Sequence, residues 1–222
     1  NPGGMSPAPP TMADYADVAR VLGEGMPSLD GLASFTESDV PVTLPQPRSL
    51  QAAFVSANYF DVLGVRAEIG RTFAPEEGGA ASPVAIISRA LWMREFGGNS
   101  SAVGRPIQVG GQIFDVIGVA QQGFAGPTQT VRGADLWLPI GFVNRVAMDD
   151  PFGQPGTRLI RYVGRMRDGT GIDRVQAELG VAAGRLGVAR PLGVPGPAQL
   201  VASADASVER VRVEVSGLAR SE

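Results

Sequence analysis

Two adjacent acidic pairs, Glu76-Glu77 and Asp149-Asp150, are the side chains of this chain best suited to chemistry. Paired carboxylates can divide acid and base roles across a glycosidic bond, or lend oxygens to calcium. Calcium loops space their oxygen ligands at alternating positions around a glycine, and neither pair has that setting. Glu76-Glu77 follows Pro75 and reads as a capped turn with its carboxylates near helical N–H groups, while Asp149-Asp150 precedes Pro151 in a loop. Two-carboxylate hydrolysis stays open on composition alone and has no positive support. Arg158, Arg161, Arg165 and Arg167, in RLIRYVGRMRDG, form the densest basic run and could hold an anion. Their alternation with Leu159, Tyr162-Val163 and Met166 reads instead as a strand with one charged, solvated face.

What is missing narrows the chemistry further. The 222 residues contain no His and no Cys, and all 19 basic residues are arginine. Ser-His-Asp and Cys-His triads, Ser-Lys dyads, Schiff bases, the P-loop lysine and His- or Cys-ligated metals are therefore ruled out. No catalytic, cofactor-binding or metal-ligating residue is assigned, and the chain is not expected to be an enzyme. A net charge of -3 argues against nucleic acid, whose phosphates call for a concentrated basic surface. Lack of cysteine fits an oxidising space without disulfides as well as a cytosol. With 44% hydrophobic and 18% charged residues the chain can bury a real core, yet no run approaches the ~18 apolar residues of a membrane helix. It is expected to be soluble as it stands. It begins at Asn1 with no initiator Met and no signal-type segment, and is expected to be a piece of something longer.

The elements that must position these residues are legible in outline. Residues 1–12, rich in Gly and Pro, read as a tail or linker. A helix is expected next, with Thr11 as cap and Tyr15, Val18, Leu22 and Met26 at helical spacing. Leu32 to Thr36, Val40 to Leu44 and Leu50 to Ser56 look extended, and Pro41, Pro45 and Pro47 put the second of these at an edge or in a loop. Ala57 to Leu63 is a short helix ending at Gly64, VAIIS a buried strand, and RALWMREF a helix capped by Ser88 and stopped at Gly97-Gly98. Two alternating runs flank Gly110-Gly111, a hairpin signal, because two-residue turns need the positive φ that glycine adopts at little cost. Asp135 to Ile140 is one more strand. Towards the end, Leu159 to Arg167 is a strand, Ile172 to Leu186 an amphipathic helix, and 199–202 and 208–215 are strands. The expected fold class is α+β. Residues 13–56 with 141–222 form a strand-helix-strand layer built from both ends of the chain, and 57–140 form an inserted mixed α/β lobe.

Five motifs follow one another between Val55 and Ile140: VSANYFDVLGV, GRTF, VAIISRALWMREFGG, VGRPIQVGGQIFDVIGVAQQGF and ADLWLPI. In that order the block resembles the extracytoplasmic core domain of MacB-like and FtsX-like ABC-transporter permeases. LWMREFGG, QQGFAGP and DLWLP look most similar to a bacterial subgroup of duplicated permeases often found without a dedicated ATPase. The resemblance implies a porter-like subdomain formed by both ends of a loop between the first two transmembrane helices, outside the inner membrane, with an inserted subdomain. It implies mechanotransmission: a cytosolic ATPase moves the helices of a permease dimer, and the outer domains pass the motion to a periplasmic adaptor, a lipoprotein carrier or a cell-wall hydrolase. No cofactor is implied. A stand-alone periplasmic module binding lipid or peptide is the alternative.

Among the aromatic residues, Tyr59 and Phe60 are expected to anchor a short helix in the core, and Trp92 and Trp137 to sit at its edge. Phe124, between glycines in GFAGP, is the expected exposed aromatic and the candidate partner contact.

Overall fold

A computed structural model of the chain describes residues 12–44, 46–126, 133–147, 159–185, 200–202 and 209–216. Its elements in chain order are α1 (Met12–Gly25), β1 (Leu29–Leu44), β2 (Gln46–Val55), α2 (Tyr59–Leu63), β3 (Ala67–Gly70), β4 (Val84–Ile87), α3 (Arg89–Phe96), β5 (Pro106–Val109), β6 (Gln112–Ala120), β7 (Leu136–Pro139), α4 (Val143–Val146), β8 (Leu159–Met166), α5 (Ile172–Arg185), β9 (Leu200–Ala202) and β10 (Glu209–Ser216). The class is α+β, with strands dominant. Thr11, Arg158 and Asp149-Asp150 lie outside the described residues.

The chain divides into two compact units, Asn1–Ser34 with Pro151–Glu222, and Phe35–Asp150. These bounds differ from the expected 56/57 and 140/141, and at the first of these the reason is pairing. Phe35 to Leu44 of β1 is in register with Val55 to Gln46 of β2, and β2 runs parallel to β7 through Ala52↔Leu136. Residues 35–56 are thus laddered to the segment that the sequence reads as a separate insertion.

In the Phe35–Asp150 unit the ladder closes on itself. β2 pairs β7, β7 pairs β4, β4 pairs β6, β6 pairs β5, β5 pairs β1, and β1 returns to β2. Closure removes the exposed edges that open sheets must protect. β3, unread in the sequence, continues along β6 at Ile69↔Val119. Pro41 is neither in a loop nor at an edge: it is paired with Ser49 inside β1, and its carbonyl accepts the Gly110 N–H at 2.8 Å. One residue's N–H and C=O point to the same side of an extended strand, so the N–H that proline lacks would face the turn where β5 has already ended.

Local signals act as expected around this ladder. Ser88 Oγ accepts the Leu91 N–H at 3.1 Å and starts α3; Gly97, at φ 60°, stops it. Gly110 and Gly111 turn the β5–β6 hairpin at φ 55° and 80°. Gly110 has a second reason to be glycine, since a Cβ there would lie 2.5 Å from Val146 Cβ.

In the other unit the strands run in the order β1, β8, β10, β9, and α1 packs against α5. A Cβ on Gly25 would meet Ala182 Cβ at 3.0 Å, so small residues set the helix separation there. Ile160, Tyr162, Val163 and Met166 of β8 are all buried, and Arg161 and Arg165 are half-buried. β8 is therefore covered on both faces, where the sequence suggests a solvated charged one. Among the described residues of its basic run Arg167 alone stands exposed, paired with Asp30 at 3.2 Å.

Candidate functional site

Of the acidic pairs the sequence offers for chemistry, Glu77 is used structurally. Pro75–Gly78 forms a single 3-10 turn, and Glu77 Oε2 accepts the Ala74 N–H at 2.7 Å, the capped turn expected from the sequence. The Arg71 guanidinium donates to both Glu77 oxygens at 2.7 Å. That fork holds the Glu77 carboxyl below its ordinary pKa, the Ala74 N–H adds to the effect, and burial opposes it. Arg71 also borders an open groove of about 560 Å³ lined by Gly70, Gly104, Asp115 and Ile117. Among the described residues no group of three or more His, Cys, Asp or Glu could hold a metal ion.

A second carboxylate, Glu178 of α5, secures the turn between α1 and β1. Ser28 donates its N–H to Oε2 at 2.9 Å and its Oγ–H to Oε1 at 2.7 Å, and Arg174 Nε adds a bond to Oε1 at 3.2 Å. Desolvation pushes this carboxyl up, but the Ser28 and Arg174 hydrogen bonds outweigh it and the net shift is downward. The Ser28 carbonyl accepts the Arg167 N–H at 2.9 Å, so Ser28 joins α1, β8 and α5 at one buried point. The sequence contains no signal for this node, because its partners are 150 positions apart.

The aromatic residues converge in the Phe35–Asp150 unit. Tyr59 and Phe60 are buried on α2, as expected, and their rings meet edge-on at 5.5 Å. Phe60 further touches Phe73 at 5.9 Å and Trp137 at 5.7 Å, and Tyr59 touches Phe35 at 5.9 Å. Trp137 is wholly buried on β7, not at the core edge, and its Nε1 has no hydrogen-bond partner among the described residues. Trp92 keeps 8% exposure and donates its Nε1–H to the Asn99 carbonyl at 2.8 Å.

Phe124 joins this cluster from the loop after β6. It is half-buried, with its ring stacked on Trp137 at 5.2 Å and tilted against Phe60 at 5.7 Å. The free, exposed aromatic expected there is instead turned inward, since a phenyl ring gains more by covering other rings than by facing water. The loop's exposed residues are its neighbours Gln121, Gln122, Gly123 and Ala125. Gln121 ties the loop to the rest of the unit: its N–H donates to the Arg66 carbonyl at 3.2 Å and its Oε1 accepts the Arg66 N–H at 3.3 Å.

This architecture is shared with extracytoplasmic domains of ABC-type transporters. The extracellular domain of the noncanonic ABC-type transporter YknZ from Gram-positive bacteria matches at 16% identity and a TM-score of 0.56, over 82% of this chain and 87% of that one. The periplasmic region of MacB from Actinobacillus actinomycetemcomitans matches at 15% identity and a TM-score of 0.58, over 80% and 82% respectively. No curated protein sequence matches. The family described as MacB-like periplasmic core domain matches residues 1–181, and the chain belongs to that family. It is thus a periplasmic core domain of the MacB-like ABC-transporter permeases, a family whose domain is non-catalytic. Among the described residues no helix is long and apolar enough to cross a membrane.

Proposed function

We propose that this domain couples ATP-driven motion of a permease to work outside the inner membrane. It does so as the loop between the first two transmembrane helices, working in a permease pair moved by a cytosolic ATPase. The observation that carries the reading is the family match over residues 1–181. Its receiving partner is a periplasmic adaptor, a lipoprotein carrier or a hydrolase, and the process served is export or efflux. The Asn1–Ser34 and Pro151–Glu222 segments share one unit, which supports a porter-like subdomain made from both. The wording of LWMREFGG, QQGFAGP and DLWLP supports a place in the duplicated-permease branch. Phe124 is the proposed partner contact, with its exposed loop neighbours Gln121, Gln122 and Ala125 beside it.

A distance measurement tests the coupling. Ile113 is 65% exposed and this chain has no cysteine, so Ile113→Cys takes one dye per copy of the domain. In the reconstituted parent permease, energy transfer between two copies is expected to change on ATP addition and to stay constant when the ATPase cannot hydrolyse. Transport that proceeds with no change in distance would overturn the reading.

A further inference from the structure

Trp137 Nε1–H is a buried side-chain donor of the Phe35–Asp150 unit that finds no acceptor among the described residues. A donor kept from water without a partner is destabilising, whereas a phenylalanine would fill an apolar site without that penalty. The rings that touch it offer no lone pair: Phe60 meets it edge-on at 5.7 Å and Phe124 stacks on it at 5.2 Å. Phe124 differs from the other members of the cluster. It comes from a loop, it is half-buried where Tyr59, Phe60 and Trp137 are wholly buried, and Gly123 and Gly126 on either side of it have φ of 82° and 105°. Glycines at such angles can change backbone conformation at little steric cost.

We infer that Phe124 fills a ligand site, walled by Tyr59, Phe60 and Trp137, for a small uncharged aromatic molecule bearing a hydrogen-bond acceptor. Phe124 leaves as the ligand enters. The ligand's ring takes over the stacking on Trp137 and the contacts with Tyr59 and Phe60. Its acceptor pairs with the indole N–H and removes a penalty that the resting domain carries. A charged ligand is disfavoured, because among these rings it would lose its hydration with nothing to replace it. The site needs no transporter activity, so its test stands apart from the coupling proposed above.

The isolated domain provides that test by nitrogen-15 NMR. Its two tryptophans, Trp92 and Trp137, give two indole N–H signals, which Trp92→Phe assigns. Trp92 Nε1–H is already bonded to Asn99 and serves as the internal control. The probes are acetophenone, a phenyl ring with a carbonyl acceptor, and toluene, the same ring without one. Acetophenone is expected to move the Trp137 signal downfield to saturation, and toluene is not. Phe124→Ala removes the competing ring and is expected to tighten acetophenone binding roughly ten-fold. A Trp137 signal that acetophenone leaves in place, in both the native domain and the variant, overturns the site. An equal shift with toluene overturns the acceptor role. If Phe124→Ala does not fold, the titration of the native domain decides alone.

Discussion

The two units hold themselves together by different means. The Phe35–Asp150 unit closes its strand ladder and fills it with rings, so its order comes from non-directional burial and shape. The Asn1–Ser34 and Pro151–Glu222 unit is an open layer, in which small residues set the helix approach and the half-buried Glu178 carboxylate holds the turn at Ser28. Burial of rings tolerates changes of pH; the carboxylate that each unit also uses, Glu77 in the first and Glu178 in the second, does not. The same contrast separates the observables. Both tryptophans belong to the aromatic unit, so tryptophan fluorescence reports that unit alone, while amide exchange at Ser28 and in α5 reports the other.

The largest effect that would break this contrast is expected at Phe60, which touches Tyr59, Phe73, Phe124 and Trp137 and is 1% exposed. Phe60→Ala should remove about 3–5 kcal/mol from the fluorescence-detected urea transition. Unchanged exchange at Ser28 would complete the expected pattern, and a matching loss there would show that the units unfold as one.

Gly110→Ala comes next. It puts a side chain at φ 55° and a Cβ 2.5 Å from Val146 Cβ, and should cost about 2–4 kcal/mol in the same transition. Gly97→Ala is the comparison, with φ 60° and no atom within 4 Å of the added Cβ, and about 1–2 kcal/mol is expected from the backbone alone. Equal losses would refute the steric part of the argument.

Glu178→Ala strands the Ser28 N–H and hydroxyl and should cost about 1–3 kcal/mol, read as faster exchange of the Ser28 amide with the fluorescence transition unmoved. The pH dependence sharpens this. Glu77 is held low chiefly by the Arg71 fork, and Glu178 by Ser28 and Arg174 against its desolvation, so both fold with pKa values below 4.5. A depressed folded pKa contributes stability that is present above 4.5 and is lost as the pH falls through the still lower folded value. Acidification should therefore weaken both units. Glu77→Gln should flatten the acid loss seen by fluorescence, and Glu178→Gln the loss seen at Ser28. Either variant flattening the other unit's response would contradict the assignment.

The smallest effect is expected at Arg20, whose bond to Glu24 at 3.3 Å joins side chains 57% and 64% exposed. Arg20→Ala should shift stability by no more than about 0.5 kcal/mol in thermal unfolding. A larger change would show that the open layer relies on surface charge as well as on the Ser28–Glu178 node.

Most of the elements could be read from the sequence because their signals are short. Ser88 and Gly97 bracket α3, Gly110-Gly111 turn the hairpin, and Gly64 closes α2 at φ 66° within a few residues of the atoms they serve. β3 was not legible. Ala67–Gly70 has four residues with no apolar run, and it is a strand only because β6 lies beside it. Pro41 misled for a related reason: proline bars a hydrogen bond on one side of a strand, and whether that side needs one depends on where β5 stops. The candidate site was half legible. QQGFAGP announces a loop with an aromatic at its centre, but nothing local says that Trp137, thirteen residues further on, will stack on that ring.

By itself, the sequence determined what chemistry is absent, the helix caps, the hairpin turns and the ordered motifs by which the family is known. Each depends on residue type or on contacts spanning a few positions. The tertiary structure alone decided the closure of the ladder, the boundary between the units, the inward turn of Phe124 and the Ser28–Glu178 node. These depend on pairs far apart in the chain, and which of many apolar or polar partners meet is settled only when the whole chain has packed.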